Sequence, residues 1–467
     1  MHCLWLVVGL GAGVSAAEMA PATPPAQGVQ GAPGIQDVRG VGADNETVSI
    51  HGQVTYNWQR HGNFSDPRGA GANSLTSSAD KMYTFTSTAF LGMRPWTNGE
   101  LYFNPEVAQG VPFGGNLVGL GGFTNGEITR AAGSSPSLYR QRLFVRHTWN
   151  RGGGVEVLEA GANQLAGSVD RNRVVLTAGN FSTLDVFDHN AYANDPRTQF
   201  MNWGGWTYAA YDYAADSRGF GWGAAFEWYQ DEWAFRVGRM TGPKDPNGLP
   251  VDYAIHKRFG DQVEIEREHQ LRGQPGKVRV LWWHNRAVLA RFDDAWQIRQ
   301  LQINRGEPAY ADPTALVLAR AGEQDKHGLG LNIEQALSPA VGFFLRWMKA
   351  DGKTETHAFT EADGSFATGL LVNGGVWGQA DDSVGVALMH NTLSAQRRRF
   401  LALGGISFFI GDGYLDYKPE TILETYYSRA VARDVWVTLD YQHVANPAYN
   451  AARGPVHVMA VRLHAEF

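Results

Sequence analysis

From Thr47 to the terminal Phe467 the chain alternates apolar and polar residues with a period of two, in segments of about ten residues separated by clusters of Gly, Asp, Asn and Pro. That period belongs to strands with one face in an apolar medium and the other in water. The closing segment PVHVMAVRLHAEF puts His457, Met459, Val461, Leu463, Ala465 and Phe467 on one face, and Arg462, His464 and Glu466 on the other. In a soluble sandwich the apolar face would meet a core. In an outer-membrane barrel it meets lipid, and the polar face lines the lumen. Arg and Glu recur on the polar face strand after strand, which favours the barrel. A slip of one residue would carry Arg462 into lipid at a cost of ~2–4 kcal/mol near the midplane, so the register is well specified.

The same pattern sets Val54, Tyr56 and Trp58 against Gln53, Thr55, Asn57 and Gln59, and Leu143, Val145 and His147 against Arg142, Phe144 and Arg146. Further pairs are FEWYQ with WAFRVG, DQVEIEREH with KVRVLWWHN, LGLNIEQ with VGFFLRWMK, and ILETYYS with VWVTLDYQH. Short turn-like connections (SPA, LRGQPG, GQADD, SRAVARD) alternate with long ones, notably 287–326, 351–365 and 391–418. Outer-membrane barrels keep short turns in the periplasm and long loops outside. Trp58, Trp149, Trp228, Trp233, Trp282 and Trp347 fall on outward parity or near strand ends, as an interfacial aromatic girdle requires.

A mean hydropathy of −0.29 beside 12% aromatic residues excludes a helical membrane bundle. The fold class expected is all-β, a transmembrane antiparallel β-barrel. Marking every alternating segment gives 17 or 18 candidate strands, the doubtful ones being 172–181 and 404–410 (GISFFIG lies across the latter). Single-chain bacterial barrels normally carry even numbers. The loop at 287–320 reads as locally helical, because Leu289, Phe292 and Trp296 share a helical face and Asp312-Pro313 suits an N-cap followed by Pro at the first helical position.

Before the barrel, MHCLWLVVGLGAGVSAAE has an apolar stretch too short to span a bilayer, followed by small residues at Ser15 and Ala17. Residues 1–17 are read as a signal peptide, although His2 stands where Lys or Arg is usual. Cleavage would remove Cys3, the sole cysteine, leaving a mature chain without disulfides or thiolate metal sites. Residues 18–46, opening PATPPAQGVQGAPG from Pro21 onward, are rich in Pro, Ala and Gly and read as a flexible periplasmic tether. The barrel then occupies 47–467.

Parity sends Arg94, Glu106, Arg140, Arg142, Arg146, Glu227, Arg236, Glu264, Glu266, Glu268, Arg279, Arg346, Glu424, Asp440, Arg462 and Glu466 inward. Both signs are nearly balanced, whereas an anion or cation pore would show rings of one sign. Only eight of the 40 basic residues are Lys. Arg supplies planar paired donors that can grip neighbouring oxygen atoms. The same parity turns Tyr102, Phe144, Tyr229, Trp283, Phe344, Tyr426 and Trp436 inward. Aromatic faces beside planar donors suit sugars, which show C–H patches on their faces and hydroxyls at their edges. For any one charge the alternative is that it solvates the lumen and pairs with a neighbour.

The segments YTFTSTAFLGMRPWTNGELYFNPEVAQG, GGFTNGEITR, DRNRVVLTAGNFSTLDVFDHNAYANDPRTQFMNW and YAAYDYAADSRGFGWG, with the closing LHAEF, resemble the carbohydrate-selective porins of the OprB family. The resemblance covers nearly the whole chain after the tether. It implies a 16-stranded outer-membrane barrel passing monosaccharides such as glucose, and small oligosaccharides, by passive, saturable diffusion. It also makes 182–204 the stretch expected to fold inward and narrow the pore. The pore-lining and sugar-binding candidates are Arg94, Glu106, Arg140, Arg142, Arg146, Trp203, Glu227 and Glu424.

No G-x-S-x-G elbow, HExxH helix, Cys/His zinc spacing or Walker loop is present. Gly-rich NLVGLGG (116–122) and RGGG (151–154) lack the strand-before, helix-after context of phosphate loops. No cofactor is expected. Asp185, Asp188 and Asp195 could ligate Ca²⁺ through oxygen, but their spacing is not that of an EF-hand and a solvated acidic loop fits better. A net charge of −6, with no basic cluster beyond Arg397–Arg399, gives no reason to invoke nucleic acid. Expected partners are carbohydrate solutes, outer-membrane lipid, and the barrel-assembly machinery through the C-terminal Phe467, with the barrel a monomer or a homotrimer. The alternatives are an anion or general-diffusion porin, an outer-membrane barrel enzyme, or a plugged structural barrel.

Overall fold

A computed structural model of the chain describes residues 45–131, 133–308 and 314–467. The signal-peptide reading of 1–17, nearly all of the tether and the Asp312-Pro313 cap lie outside the described residues. Sixteen strands close into one antiparallel barrel. They are β1 Val48–His61, β2 Asp80–Trp96, β3 Gly99–Val111, β4 Ser137–Asn150, β5 Arg173–Phe181, β6 Gly221–Gln230, β7 Trp233–Met240 and β8 Phe259–Leu271. The remainder are β9 Gln274–Ala290, β10 Arg320–Ser338, β11 Val341–Ala350, β12 Gly364–Asn373, β13 Ser383–Thr392, β14 Glu420–Ala432, β15 Val435–Ala445 and β16 Val456–Glu466. Each strand pairs with its neighbours in chain order, and β16 closes on β1 from Gln53↔Glu466 to His61↔Val458.

The two doubtful strand candidates resolve in opposite directions. Residues 172–181 supply β5, which pairs with β4 and β6. Residues 404–410 are not a strand: they lie in the 393–419 connection and turn Ile406, Phe409 and Ile410 into the cap over the barrel, where Phe409 meets Phe123 edge-on at 4.8 Å. An apolar run buried except at Phe408 looks like a strand in sequence because both leave water. A small hairpin, Val155–Leu158 with Gly167–Asp170, lies outside the barrel sheet in the β4–β5 connection. In the 291–319 connection the helix spans Phe292–Asn304, while Leu289 still belongs to β9.

Turn chemistry fixes the short end. The β8–β9 turn places Arg272 and Gly273 at φ 53° and 76°, the paired left-handed conformation that matches the twist of a two-residue hairpin. At the same rim the Phe467 and Gly52 backbones exchange hydrogen bonds of 2.7 and 3.0 Å. A Cβ on Gly52 would fall 2.2 Å from the Phe467 ring, so glycine there lets the terminal aromatic lie across β1.

Outward positions are apolar: Trp149, Trp228, Trp233, Trp282 and Trp347 are all exposed on the outer wall, with Leu439 and Val461 paired across β15 and β16. Inward positions are polar or aromatic. This inversion of a soluble core generates a stability test. Leu439→Arg should lower the free energy of refolding into lipid vesicles by ~2–4 kcal/mol, read from denaturant titrations of tryptophan fluorescence. A change below 0.5 kcal/mol, the usual scale for a water-exposed site, would place this face outside lipid.

Candidate functional site

The lumen is organised by the connection 182–220 between β5 and β6, which enters the barrel. Ser182 and Asp185 form a capping box at its start, fixing the angle of entry. From there the segment is held to the β10–β16 wall by buried polar contacts. Arg346 on β11 donates to the Asp188 carboxylate at 2.9 Å and to the Ala193 carbonyl at 2.6 Å. Arg462 on β16 donates to the carbonyls of Pro196 and Gln199, both at 2.8 Å. Glu424 on β14 accepts from the backbone N–H of Met201 at 2.5 Å and of Asn202 at 3.2 Å. Lys326 on β10 pairs with Asp212 at 2.6 Å, both side chains fully buried. Across the lumen Arg197 reaches Glu106 on β3 at 2.7 Å and Glu127, in the 112–136 connection, at 2.9 Å.

An apolar cap seals the same half. Trp203 packs against Phe123, Trp206, Tyr213 and Phe359, drawn from three connections, and Phe200 sits between Phe344 and Tyr426. On the opposite wall, from β2 to β7, a few charged side chains, among them Arg94, Arg142 and Arg146, stay partly exposed. There Arg142 on β4 forms a two-pronged pair with Asp185, at 2.7 Å through Nε and 2.6 Å through Nη2. Their side chains keep 12% and 25% exposure, in contrast to the buried clamps opposite.

Around this pair, arginines lie over aromatic rings in a track. Arg218 covers Tyr139 at 4.1 Å, and Arg142 and Arg130 cover Phe220 at 5.1 and 5.6 Å. Further toward the periplasm Arg146 lies over Tyr102 at 5.3 Å, while Arg173 and Arg236 lie over Tyr229 at 4.2 and 5.4 Å. From Tyr139 to Arg146 the track runs about 24 Å along β4 at ~3.4 Å per residue. A ring beneath a guanidinium holds it flat and leaves its N–H edge free for an oxygen. Carboxylates neutralise the cations: Glu100 serves Arg94 at 3.3 Å and Arg146 at 3.6 Å, and Arg236 pairs with Glu227, Glu264 and Glu266.

Against the candidates drawn from sequence, Arg94, Arg142 and Arg146 lie partly exposed on this wall, and Glu227 lies buried on it beneath Arg236. Glu106 and Glu424 face inward but are fully buried beneath the 182–220 segment. Trp203 is buried in the cap, so it is no surface for a solute. Arg140 is a correction: it is exposed, lies over the outward Trp222 at 4.9 Å and shares its face with Leu138. The cause is a bulge, since Asn104 pairs with Arg142 while the adjacent Pro105 pairs with Arg140, which reverses parity above that point. Residues missed from sequence are Arg130, Arg197, Phe220 and the Asp212–Lys326 pair. All but Lys326 sit on connections, where period two gives no information. The three acidic residues considered for Ca²⁺ are committed elsewhere: Asp185 to Arg142, Asp188 to Arg346 and Asn332, and Asp195 to the Arg197 N–H.

A closed 16-stranded barrel, apolar outside, with an inward segment leaving a polar track along one wall, is an outer-membrane channel of the porin class. The chain belongs to the carbohydrate-selective porin, OprB family, whose model matches residues 92–467, and it is accordingly an outer-membrane carbohydrate porin. No curated protein matches it by sequence. Among solved structures it is similar to Pseudomonas putida OprB in a high-pH form, with a TM-score of 0.62 and 12% identity over 90% of this chain and 94% of that one. It also matches the Acinetobacter baumannii outer-membrane channel DcaP, with a TM-score of 0.49 and 8% identity over 90% and 97% of the two chains. A mutant Rh. blastica porin matches with a TM-score of 0.44 and 9% identity over 90% and 100%.

Two outcomes follow for the inward segment. Arg346→Leu leaves Asp188 buried without its cation, a loss of ~3–5 kcal/mol in docking. Single-channel recordings should show larger, noisier openings, and an unchanged conductance trace would contradict the clamp. The second concerns His357, in the 351–363 connection, whose backbone N–H donates to Asp212 at 2.8 Å. Burial lowers its pKa from 6.5 to about 4, against the opposing pull of Asp212. The folded state therefore favours neutral imidazole. Its contribution, roughly 3 kcal/mol at 1.36 kcal/mol per unit, is complete above pH 6.5 and lost as pH falls through about 4. Burial raises the nearby Glu361 and Asp412, which act in the opposite sense. Hydrogen exchange in 351–363 should accelerate on acidification in the wild type and less so in His357→Gln. Equal acceleration in both would remove His357 as the cause.

Proposed function

We propose that this barrel passes neutral monosaccharides such as glucose, and small oligosaccharides, by passive, saturable diffusion along the β2–β7 wall. The observation that carries the reading is the partly exposed Arg142–Asp185 pair, set in a track of arginines lying on aromatic rings. Hydroxyls edge-on to the guanidiniums replace water hydrogen bonds one for one, and the partly exposed rings of Tyr139 and Tyr229 accept the apolar faces of the sugar. Because Arg94, Arg130, Arg142, Arg146, Arg173 and Arg236 are each paired with carboxylates, with Arg218 the exception, an anion gains little there, which sets this reading above an anion pore. Affinity stays low enough for release because every hydrogen bond gained replaces one to water. At the short-turn rim, Phe467 is the contact we assign to the barrel-assembly machinery.

Planar-bilayer recording tests the reading. Glucose should reduce ion conductance in a saturable manner. Arg142→Gln should raise the half-saturating concentration about tenfold, the effect of losing one charge-assisted hydrogen bond worth ~1.5 kcal/mol. Arg140→Gln, on the outer wall, should leave it unchanged. Block by phosphate without any glucose effect would replace this reading with an anion pore, and absence of conductance with a plugged barrel.

A further inference from the structure

The outer wall over β5–β9 departs from the rest of the lipid-facing surface. Between the outward Asp261 and Arg267 on β8 only Val263 and Ile265 face lipid. Six residues at ~3.4 Å, tilted by ~40°, span about 15 Å, well short of the ~25 Å apolar band of such barrels. At the extracellular edge of this thin zone is a groove of about 370 Å³. Its floor is one continuous cross-strand row, Leu176–Phe226–Val237–Val263–Trp282, each residue paired in register with the next. The next row toward the outside is Ala178–Ala224–Arg239–Asp261, so the two alanines leave a notch beside a charged lip.

The lip is cationic where it is free. Arg239 grips Asp261 through Nε and Nη2, both at 2.7 Å, while lying 3.8 Å over Phe259, which leaves its Nη1 unengaged by Asp261. Arg140 lies outside the groove, toward the extracellular side of the notch, held over Trp222, two residues before Ala224 on β6. Its one acceptor is Asn180 Oδ1 at 3.3 Å, and among the described residues no carboxylate pairs with it. One guanidinium thus edges the apolar notch, on β7, and a second stands extracellular of it, on β4.

We infer that this groove binds a multiply phosphorylated, multiply acylated glycolipid of the outer leaflet, one acyl chain lying in the notch and its phosphates met by Arg239 at the groove and Arg140 beyond it. Guanidinium forks match phosphate oxygens, and the thin apolar band lets the headgroup sit low enough to reach them. The occupant is an outer-leaflet lipid because the groove lies against the extracellular ends of β6, β7 and β8.

Native mass spectrometry of the full chain in detergent, titrated with bis-phosphorylated lipid A, with its dephosphorylated form and with phosphatidylethanolamine, tests this. A single lipid A adduct is expected, with at least tenfold weaker binding of the other two. Arg140→Gln should weaken lipid A roughly tenfold, and Ala224→Trp, which fills the notch, should abolish retention. Heat-dependent mobility on SDS gels shows whether each variant is folded, and if Ala224→Trp is not, Arg140→Gln decides alone. Equal binding of the three lipids, or lipid A binding unchanged in a folded variant, would overturn the site.

Discussion

Everything in this molecule depends on closing the backbone hydrogen-bond ladder. Within a bilayer each unpaired N–H or C=O costs several kcal/mol, and a sheet escapes that cost only by having no edge. Here β16 returns to β1 over nine consecutive register pairs, and the terminal Phe467 extends the seam through its exchange with Gly52. Once the ladder closes, parity is no longer free. One alternate set of side chains must face lipid and the other the lumen, around the whole circumference.

Closure leaves a lumen lined by charges, and the 182–220 segment decides what becomes of them. On the β10–β16 side Arg346, Arg462, Glu424 and Lys326 are removed from water and spent on backbone or carboxylate partners. Buried pairs of this kind add little net stability over an apolar core, because desolvation offsets the attraction. Their directional geometry does fix one placement of an otherwise irregular chain. Apolar packing of Trp203 and Phe200 supplies the burial, and the charged contacts supply the address.

Strand type, outward face and inward face were legible along most of the barrel because side-chain direction has period two and lipid permits no exception at midplane. Legibility failed where that period breaks. Strict alternation along β4 puts Arg140 inward, but Gln141 is an extra residue opposite Asn104-Pro105, and Pro105 is the available sign, since a residue without an N–H cannot continue a ladder. Trp203, Glu106 and Glu424 were read as lining because nothing local shows that a distant segment will lie on top of them. The 404–410 run failed for a related reason: composition registers that residues leave water, not whether they do so for lipid or for a cap.

The same geometry explains how a polar lumen can favour uncharged solutes. Water is excluded from half the cross-section by the clamp, so any solute passes close to the remaining wall, where the field is that of paired charges. The Arg142–Asp185 fork and the Glu100 contacts with Arg94 and Arg146 present dipoles instead of net charge at the surface a solute touches. An ion entering the narrowed half loses hydration without meeting a compensating opposite charge, and the low local dielectric magnifies that loss. On the proposed route a sugar loses hydroxyl hydration and recovers it from guanidinium edges and carboxylate oxygens in turn. On that proposal, selectivity follows from how completely the charges neutralise one another along the track, and the asymmetric burial of the 182–220 segment directs solutes onto it.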